Sequence, residues 1–257
     1  MAIYIIAGVF GLVVGSFLNV CVYRIPRRLS IVSPSSRCPS CGQPISPLDN
    51  IPIISYVLLG GRCRHCRAKI SLRYPLIEAL NGILYMSLVY RFGIGWHTPI
   101  YLAFLSSLIV ITFIDLDFQI IPNGITLTGI PIGLIAGSLL LPDPFIRAEM
   151  LGFKTSIIGA FSGFSLFYLT AFLSRGGMGG GDIKMMAMVG ALMGWKSVLT
   201  TTFIGSLFGS LVGLFLMIFK GKGRKTKIPF GPFLALGAVI TLFWGQELLR
   251  LYMYGWL

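Results

Sequence analysis

Residues 2–23 read AIYIIAGVFGLVVGSFLNVCVY, and RIPRR follows at 24–28. A helix needs roughly 20 residues of this kind to cross the hydrocarbon core of a bilayer. No basic residue precedes the run, and Arg24, Arg27 and Arg28 come directly after it. A cleaved secretory signal carries its positive charge at the other end. The segment therefore reads as a retained helix with its N-terminus outside and its C-terminus at the cytoplasm.

Seven further apolar runs follow: Tyr74–Tyr90, Thr98–Ile114, Ile120–Leu141, Thr155–Leu173, Ile183–Trp195, Val198–Phe219 and Ile228–Gln246. The expected fold is an all-α polytopic membrane protein with about eight transmembrane helices. Ile183–Trp195 is too short to cross alone and reads as a broken or partly re-entrant helix, which makes seven spans the alternative. Of the 257 residues 55% are apolar and only 11% charged, against roughly 25% charged in a soluble domain. Too little polar surface exists to cover a soluble enzyme, and there is too much apolar sequence for a disordered chain.

The net charge of +13 follows from topology. Nine of the 21 Lys and Arg fall in 24–73, two in 174–184 and five in 220–227. With the N-terminus outside, these three loops are cytoplasmic and hold 16 of the 21, in accord with the positive-inside bias. Anionic lipid is sufficient partner for them, and nucleic acid is not needed. Glycines recur at spacing four, as in Gly11/Gly15, Gly129/Gly133/Gly137 and Gly159/Gly163, the pattern that lets membrane helices approach closely. Three regions result: 1–97, with two helices and a cytoplasmic loop; 98–219, a helical core; and 220–257, a basic loop and last helix.

Four of the five cysteines lie in the first loop, as Cys38-Pro-Ser-Cys41 and Cys63-Arg-His-Cys66. Two such pairs can place four thiolates around a tetrahedral zinc ion. A cytosolic loop keeps thiols reduced, which favours metal over disulfides. Cys21 reads as a packing residue and His65 as a neighbour of the ligands. Ile51–Leu59 is apolar but too short to span, and fits the membrane surface or the underside of the metal site.

Only eight acids occur in the chain. Asp115 directly follows an uncharged run, and Asp182 directly precedes another. The topology puts both at the cytoplasmic ends of their helices, at similar depth, where a carboxylate is costly unless paired, solvated or functional. Two carboxyl groups brought together cannot both ionise easily, so the pair offers a base and an acid at once. Such a pair can add water to a peptide bond. Capping of the following helix by Asp182 is the plainer alternative. Gly176-Gly-Met-Gly-Gly-Gly181 precedes Asp182; its glycines would let backbone approach an extended peptide or give the carboxylate freedom to move.

These residues resemble the type IV prepilin peptidases, bacterial leader peptidases and N-methyltransferases of pilus and type II secretion systems. Four features match in order: Gly15-Ser-Phe-Leu-Asn-Val20 with Arg24-Ile-Pro26; the two cysteine pairs with Arg73-Tyr-Pro75 and Glu78; Asp115 with Ile121-Pro-Asn123; and Gly179-Gly-Gly-Asp182, fitting G-x-G-D, with Lys184 after it. The match covers residues 10 to about 215. The resemblance implies cleavage of the basic leader of a prepilin or pseudopilin after a glycine, at the cytoplasmic face of the inner membrane. Methylation of the exposed amine from S-adenosylmethionine would follow. Asp115 and Asp182 match the catalytic pair, selected over Asp117 by the spacing to Ile121-Pro122; Gly179, Gly181 and Lys184 accompany them. Cys38, Cys41, Cys63 and Cys66 match the zinc loop. Asn19, Arg24 and Glu78 are candidates by position for the cofactor site, with an ion pair to Arg73 as the alternative role of Glu78. A proton- or cation-coupled transporter and a non-catalytic zinc-bearing scaffold are the competing readings of the same residues.

Overall fold

The computed structural model describes residues 1–175, 177–220 and 228–254. Gly176 of the glycine run and residues 221–227 of the last basic loop lie outside the described residues. Among the described residues eight α-helices follow one another: α1 (Ala2–Arg24), α2 (Ile54–Leu58), α3 (Arg73–Phe92), α4 (Thr98–Phe118), α5 (Asn123–Leu139), α6 (Phe153–Leu173), α7 (Gly180–Lys220) and α8 (Gly231–Tyr254). Among the described residues five helices are long and apolar enough to cross a membrane: Ala2–Arg24, Thr98–Phe118, Phe153–Leu173, Gly180–Phe219 and Gly231–Met253. The chain is a multi-pass membrane protein.

The uncharged runs predict the helices well but not all of their ends. Helix α4 continues one turn beyond Ile114, so Asp115 lies inside it. Helix α7 begins at Gly180, so Asp182 sits in its first turn rather than ahead of it. The runs 183–195 and 198–219 form one element broken at Gly194, which has φ 78 and ψ 173. Only glycine takes that conformation without steric cost, so the expected short, broken helix is the first half of α7. Helix α5 has 17 residues with Pro131 inside, short for an upright span. Helix α3 has 20 residues but includes Arg73, Glu78, Asn81 and Arg91, which lower its hydropathy.

The chain divides into two compact units, residues 1–110 and 111–257. In the first, α1 packs on α3. A Cβ on Gly15 would stand 2.7 Å from the Glu78 Cα, so the small residue is what permits the approach. Asn81, fully buried, donates its amide to the Gly11 carbonyl at 2.7 Å and accepts from the Ser106 hydroxyl at 3.2 Å. Asn19 donates to the Tyr74 carbonyl at 3.1 Å. These bonds satisfy polar groups that lipid could not.

In the second unit the first half of α7 is the centre, and every residue from 185 to 194 is buried. It packs against both α5 and α6. A Cβ on Gly159 would collide with the Gly190 carbonyl, and Ser156 donates to the Ala191 carbonyl at 2.7 Å. Beyond the break α7 packs on α8, where a Cβ on Gly237 would fall 2.6 Å from the Thr201 carbonyl oxygen. The glycine ridges in the sequence are thus spent on packing within the chain.

Candidate active site

Helix α4 ends abruptly. Gln119 takes φ 54 and donates its N–H to the Asp115 carbonyl at 2.9 Å. A left-handed residue turns the chain at once, and Pro122 then caps α5 in extended conformation. The turn carries Ile121 to a point between two glycines: a Cβ on Gly181 would lie 2.7 Å from the Ile121 Cβ, and one on Gly231 would lie 3.3 Å from the Ile121 Cδ1. Asp115 is 6% exposed. Its Oδ2 accepts the Gly231 N–H at 3.0 Å. That N–H belongs to the first residue of α8, where helix amides have no partner within the helix and the dipole favours a negative group.

Asp182 is half-buried and donates its backbone N–H to the Gly179 carbonyl at 3.1 Å. Ile121 touches both Gly181, which adjoins Asp182, and Gly231, whose N–H bonds Asp115, so the end of α4 and the start of α7 come to the same end of this unit although 67 positions separate the two acids. Asp182 is the third residue of α7 and its carboxylate bonds back to the Gly179 N–H, so it caps this helix start as well as standing at the site. Asp117 is exposed. Lys184, one turn-face onward, donates to the Asn123 side-chain oxygen at 2.8 Å and ties the start of α7 to the start of α5.

Sequence reasoning missed Gly231 as a site residue, and cited Asn123 only inside a motif. The signal for the first was faint: Pro229-Phe-Gly-Pro232 marks a helix start, with a residue whose amide is unhindered. A Cβ there would approach the Asp115 Oδ2 to 2.8 Å, so that carboxylate must move. We expect Gly231→Ala to slow peptide-bond cleavage roughly 10- to 100-fold, the scale of a small misplacement of a reacting group. Turnover measured beside an unchanged thermal unfolding midpoint checks it.

The four loop cysteines form a second constellation. Their sulfurs all lie within 4.8 Å of one another, and Cys38 Sγ is 3.8 Å from Cys66 Sγ. Each pair sits in a matching turn. Gly42 donates to the Cys38 carbonyl at 2.9 Å and Arg67 to the Cys63 carbonyl at 3.0 Å, with φ 71 at Gly42 and φ 59 at Arg67. The turns aim amides at the sulfurs. The backbone N–H groups of Cys41 and Ser40 draw the Cys38 thiol down to about 6, and those of Cys66 and His65 lower Cys63. Gln43 N–H pulls on Cys41 as well, but desolvation and the other three sulfurs push that thiol up to about 11. Four sulfurs this close cannot all be thiolates without a cation among them, and the cluster is able to hold a metal ion.

Asn19, Arg24 and Glu78 line one cavity of about 630 Å³ in the first unit, together with Cys38 and Cys63. Asn19 already bonds to backbone. The Arg24 guanidinium donates to the Ser30 carbonyl at 2.8 Å and to that of Pro34 at 2.7 Å, which organises the loop. Glu78 does not take the expected Arg73 as its partner; its Oε2 accepts the Ile53 N–H at 2.8 Å.

Residues 9–92 match the Bacterial Peptidase A24 N-terminal domain, and residues 102–214 match the Type IV leader peptidase family. The chain is 35% identical to the prepilin leader peptidase/N-methyltransferase of Pseudomonas aeruginosa, over 95% of its own length and 91% of the relative's.

The chain belongs to the type IV leader peptidase family.

Relatives of the same name from Legionella pneumophila, at 33% identity over 99% and 96% of the two chains, and from Bacillus subtilis, at 32% over 95% and 96%, extend the likeness along this family member's whole length. No solved structure matches it. Asp115, Asp182 and Lys184 of this leader peptidase fall within the second matched region, and the four cysteines and Glu78 within the first.

Proposed function

We propose that this chain is a bacterial prepilin leader peptidase and N-methyltransferase, and that Asp115 and Asp182 cleave the leader. The observation that supports the reading is that Ile121 packs against both Gly231, whose N–H bonds the buried Asp115, and Gly181, next to Asp182 at the start of α7. The substrate is a prepilin or pseudopilin whose apolar helix lies in the bilayer. The enzyme crosses the cytoplasmic membrane about eight times, counting the two halves of α7 separately, with its N-terminus outside. The site then faces the cytoplasm, where the basic leader emerges.

The two carboxyl groups act as a unit and hold one proton between them across a water molecule. One takes a proton from the water as it attacks the scissile carbonyl; the other protonates the departing amine. The Gly231 N–H fixes the Asp115 carboxylate. Gly179 leaves space beside the Asp182 carboxylate, Gly181 lets Ile121 pack on the start of α7, and the Lys184–Asn123 bond holds that start. Cleavage is assigned to the region from residue 98 onward and methyl transfer to the region up to 97.

Four cysteine sulfurs fit zinc. Bonds of about 2.3 Å set tetrahedrally require sulfurs roughly 3.8 Å apart, the separation found for Cys38 and Cys66. Cys38, Cys41, Cys63 and Cys66 would hold the ion, whose role is structural. The cavity beside it fits a small cofactor, since ligand pockets commonly span about 300–1,000 Å³. S-adenosylmethionine would supply the methyl group there, and Asn19, Arg24 and Glu78 would line its site. The test is one incubation of the purified protein with a prepilin peptide and methyl-labelled S-adenosylmethionine. Cleavage after the glycine with label on the new amine is expected. An intact, unlabelled peptide rejects the reading and leaves a transporter or a scaffold.

A further inference from the structure

The cavity of the first unit contains a buried carboxylate that is bonded to no cation among the described residues. Glu78 is 7% exposed and lines the cavity with Ser16, Asn19, Tyr23, Tyr56 and Tyr74; Arg24, Arg37, Arg64 and Lys69 line the same cavity, but Arg24 is bonded to the Ser30 and Pro34 carbonyls and Arg64 to Asp49. Its bonds are to the Ile53 N–H at 2.8 Å and to the Ser16 hydroxyl. No Lys or Arg pairs with it among the described residues. A carboxylate so placed is costly unless a positive group joins it.

Two features hold it in position. The α3 backbone at Glu78 is pressed on α1 at Gly15, and Asn81, one turn later, is bonded to the Gly11 carbonyl. On the other side Ile53 takes φ 61, a strained conformation for a β-branched residue. Its N–H is the one Glu78 accepts. Strain of this kind persists where the surroundings enforce it, and it collects at ligand clamps. The carboxylate is thus preorganised toward a cavity large enough for a cofactor.

We infer that Glu78 is the counter-charge for the cationic sulfonium of the methyl donor, and that it makes the cavity prefer that cation over the neutral thioether left after transfer. The inference rests on the methyl-transfer reading and deepens it. In the reaction the carbon–sulfur bond breaks with its electron pair left on sulfur. The substrate amine forms the new carbon–nitrogen bond and releases a proton. The ligand's charge disappears at that step, so a carboxylate facing it releases product as well as selecting donor. Glu78 holds the donor through its charge and is not required to exchange a proton.

The test is equilibrium binding, by calorimetry on the full-length protein in detergent, of S-adenosylmethionine and S-adenosylhomocysteine to wild type and to Glu78→Gln. The amide keeps the size of the side chain and an acceptor for Ile53. Wild type should bind the sulfonium compound at least about tenfold tighter than the thioether. Glu78→Gln should lose that preference while its thioether affinity stays within about twofold. A variant that keeps the preference, or loses both ligands alike, overturns the inference. Should the variant fail to fold, sinefungin, which carries an ammonium at the sulfonium position, decides on wild type alone. It should bind tighter than the thioether, and equal binding overturns the inference. If wild type binds none of the three, the methyl-transfer reading fails and takes this inference with it. Binding with methylation intact but no charge preference removes only the role of Glu78.

Discussion

Asp115→Asn will abolish leader cleavage, lowering turnover by about 10²–10⁴-fold or more, while the protein still inserts and still methylates a peptide supplied already cleaved. The lower bound is the usual contribution of a positioned acid or base. The loss should approach the upper bound because Asp115 and Asp182 work on one water, so removing either disables both proton transfers. The amide is nearly isosteric, and its oxygen can still accept the Gly231 N–H that bonds the carboxylate at 3.0 Å. Folding is therefore spared, and the loss reports chemistry. Asp182→Asn should match it, and the double variant should be little worse than either single one. Asp117→Asn, at an exposed position, should retain most activity. Cleavage of a prepilin peptide followed by mass spectrometry measures all four. Turnover by Asp115→Asn within tenfold of wild type would remove Asp115 from the chemistry.

How much of this could be read from the chain depended on whether the physics was local. Uncharged runs are local, and they located the five helices that are long and apolar enough to cross a membrane among the described residues, together with the short stretch that ends at the Gly194 break. Two acids in a chain with so few stand out, so Asp115 and Asp182 were visible before any fold was known. Helix ends were less legible: nothing near Ile114 says that α4 runs on to Phe118, because the continuation depends on Gln119 adopting φ 54. The Gly231 amide was nearly invisible. Every residue but proline has one, and its meeting with a carboxylate 116 positions away is a product of packing. The Glu78–Ile53 bond was hidden for the same reason. Proximity in sequence suggested Arg73, whereas the loop returns Ile53 in a conformation that sequence does not announce for isoleucine.

Removing the metal will separate the two activities. Cys63→Ser should reduce bound zinc from about one per chain to near none, abolish methyl transfer and leave most leader cleavage intact. The reason lies in what holds the loop. Between residues 25 and 72 only Cys38, Ser55 and Gly61 are buried, so nearly 50 residues have no apolar core of their own. A segment that cannot bury enough surface needs a staple. A structural zinc site contributes about 10–16 kcal/mol of binding free energy that becomes folding free energy, more than the loop's isolated bonds could replace. The Arg64–Asp49 pair, 2.6 Å apart, is largely exposed on the arginine side, and exposed pairs contribute little. Cys38 and Cys63 also line the cavity assigned to the methyl donor, so loss of the ion should open that cavity's wall. Asp115, Asp182 and Gly231 belong to the other compact unit, which holds no zinc ligand. Limited proteolysis should show new cuts confined to the loop, metal analysis should show the lost zinc, and paired cleavage and methylation assays should diverge. Equal loss of both activities would mean that the loop supports cleavage too, and unchanged metal content in Cys63→Ser would mean that the four sulfurs are not a zinc site.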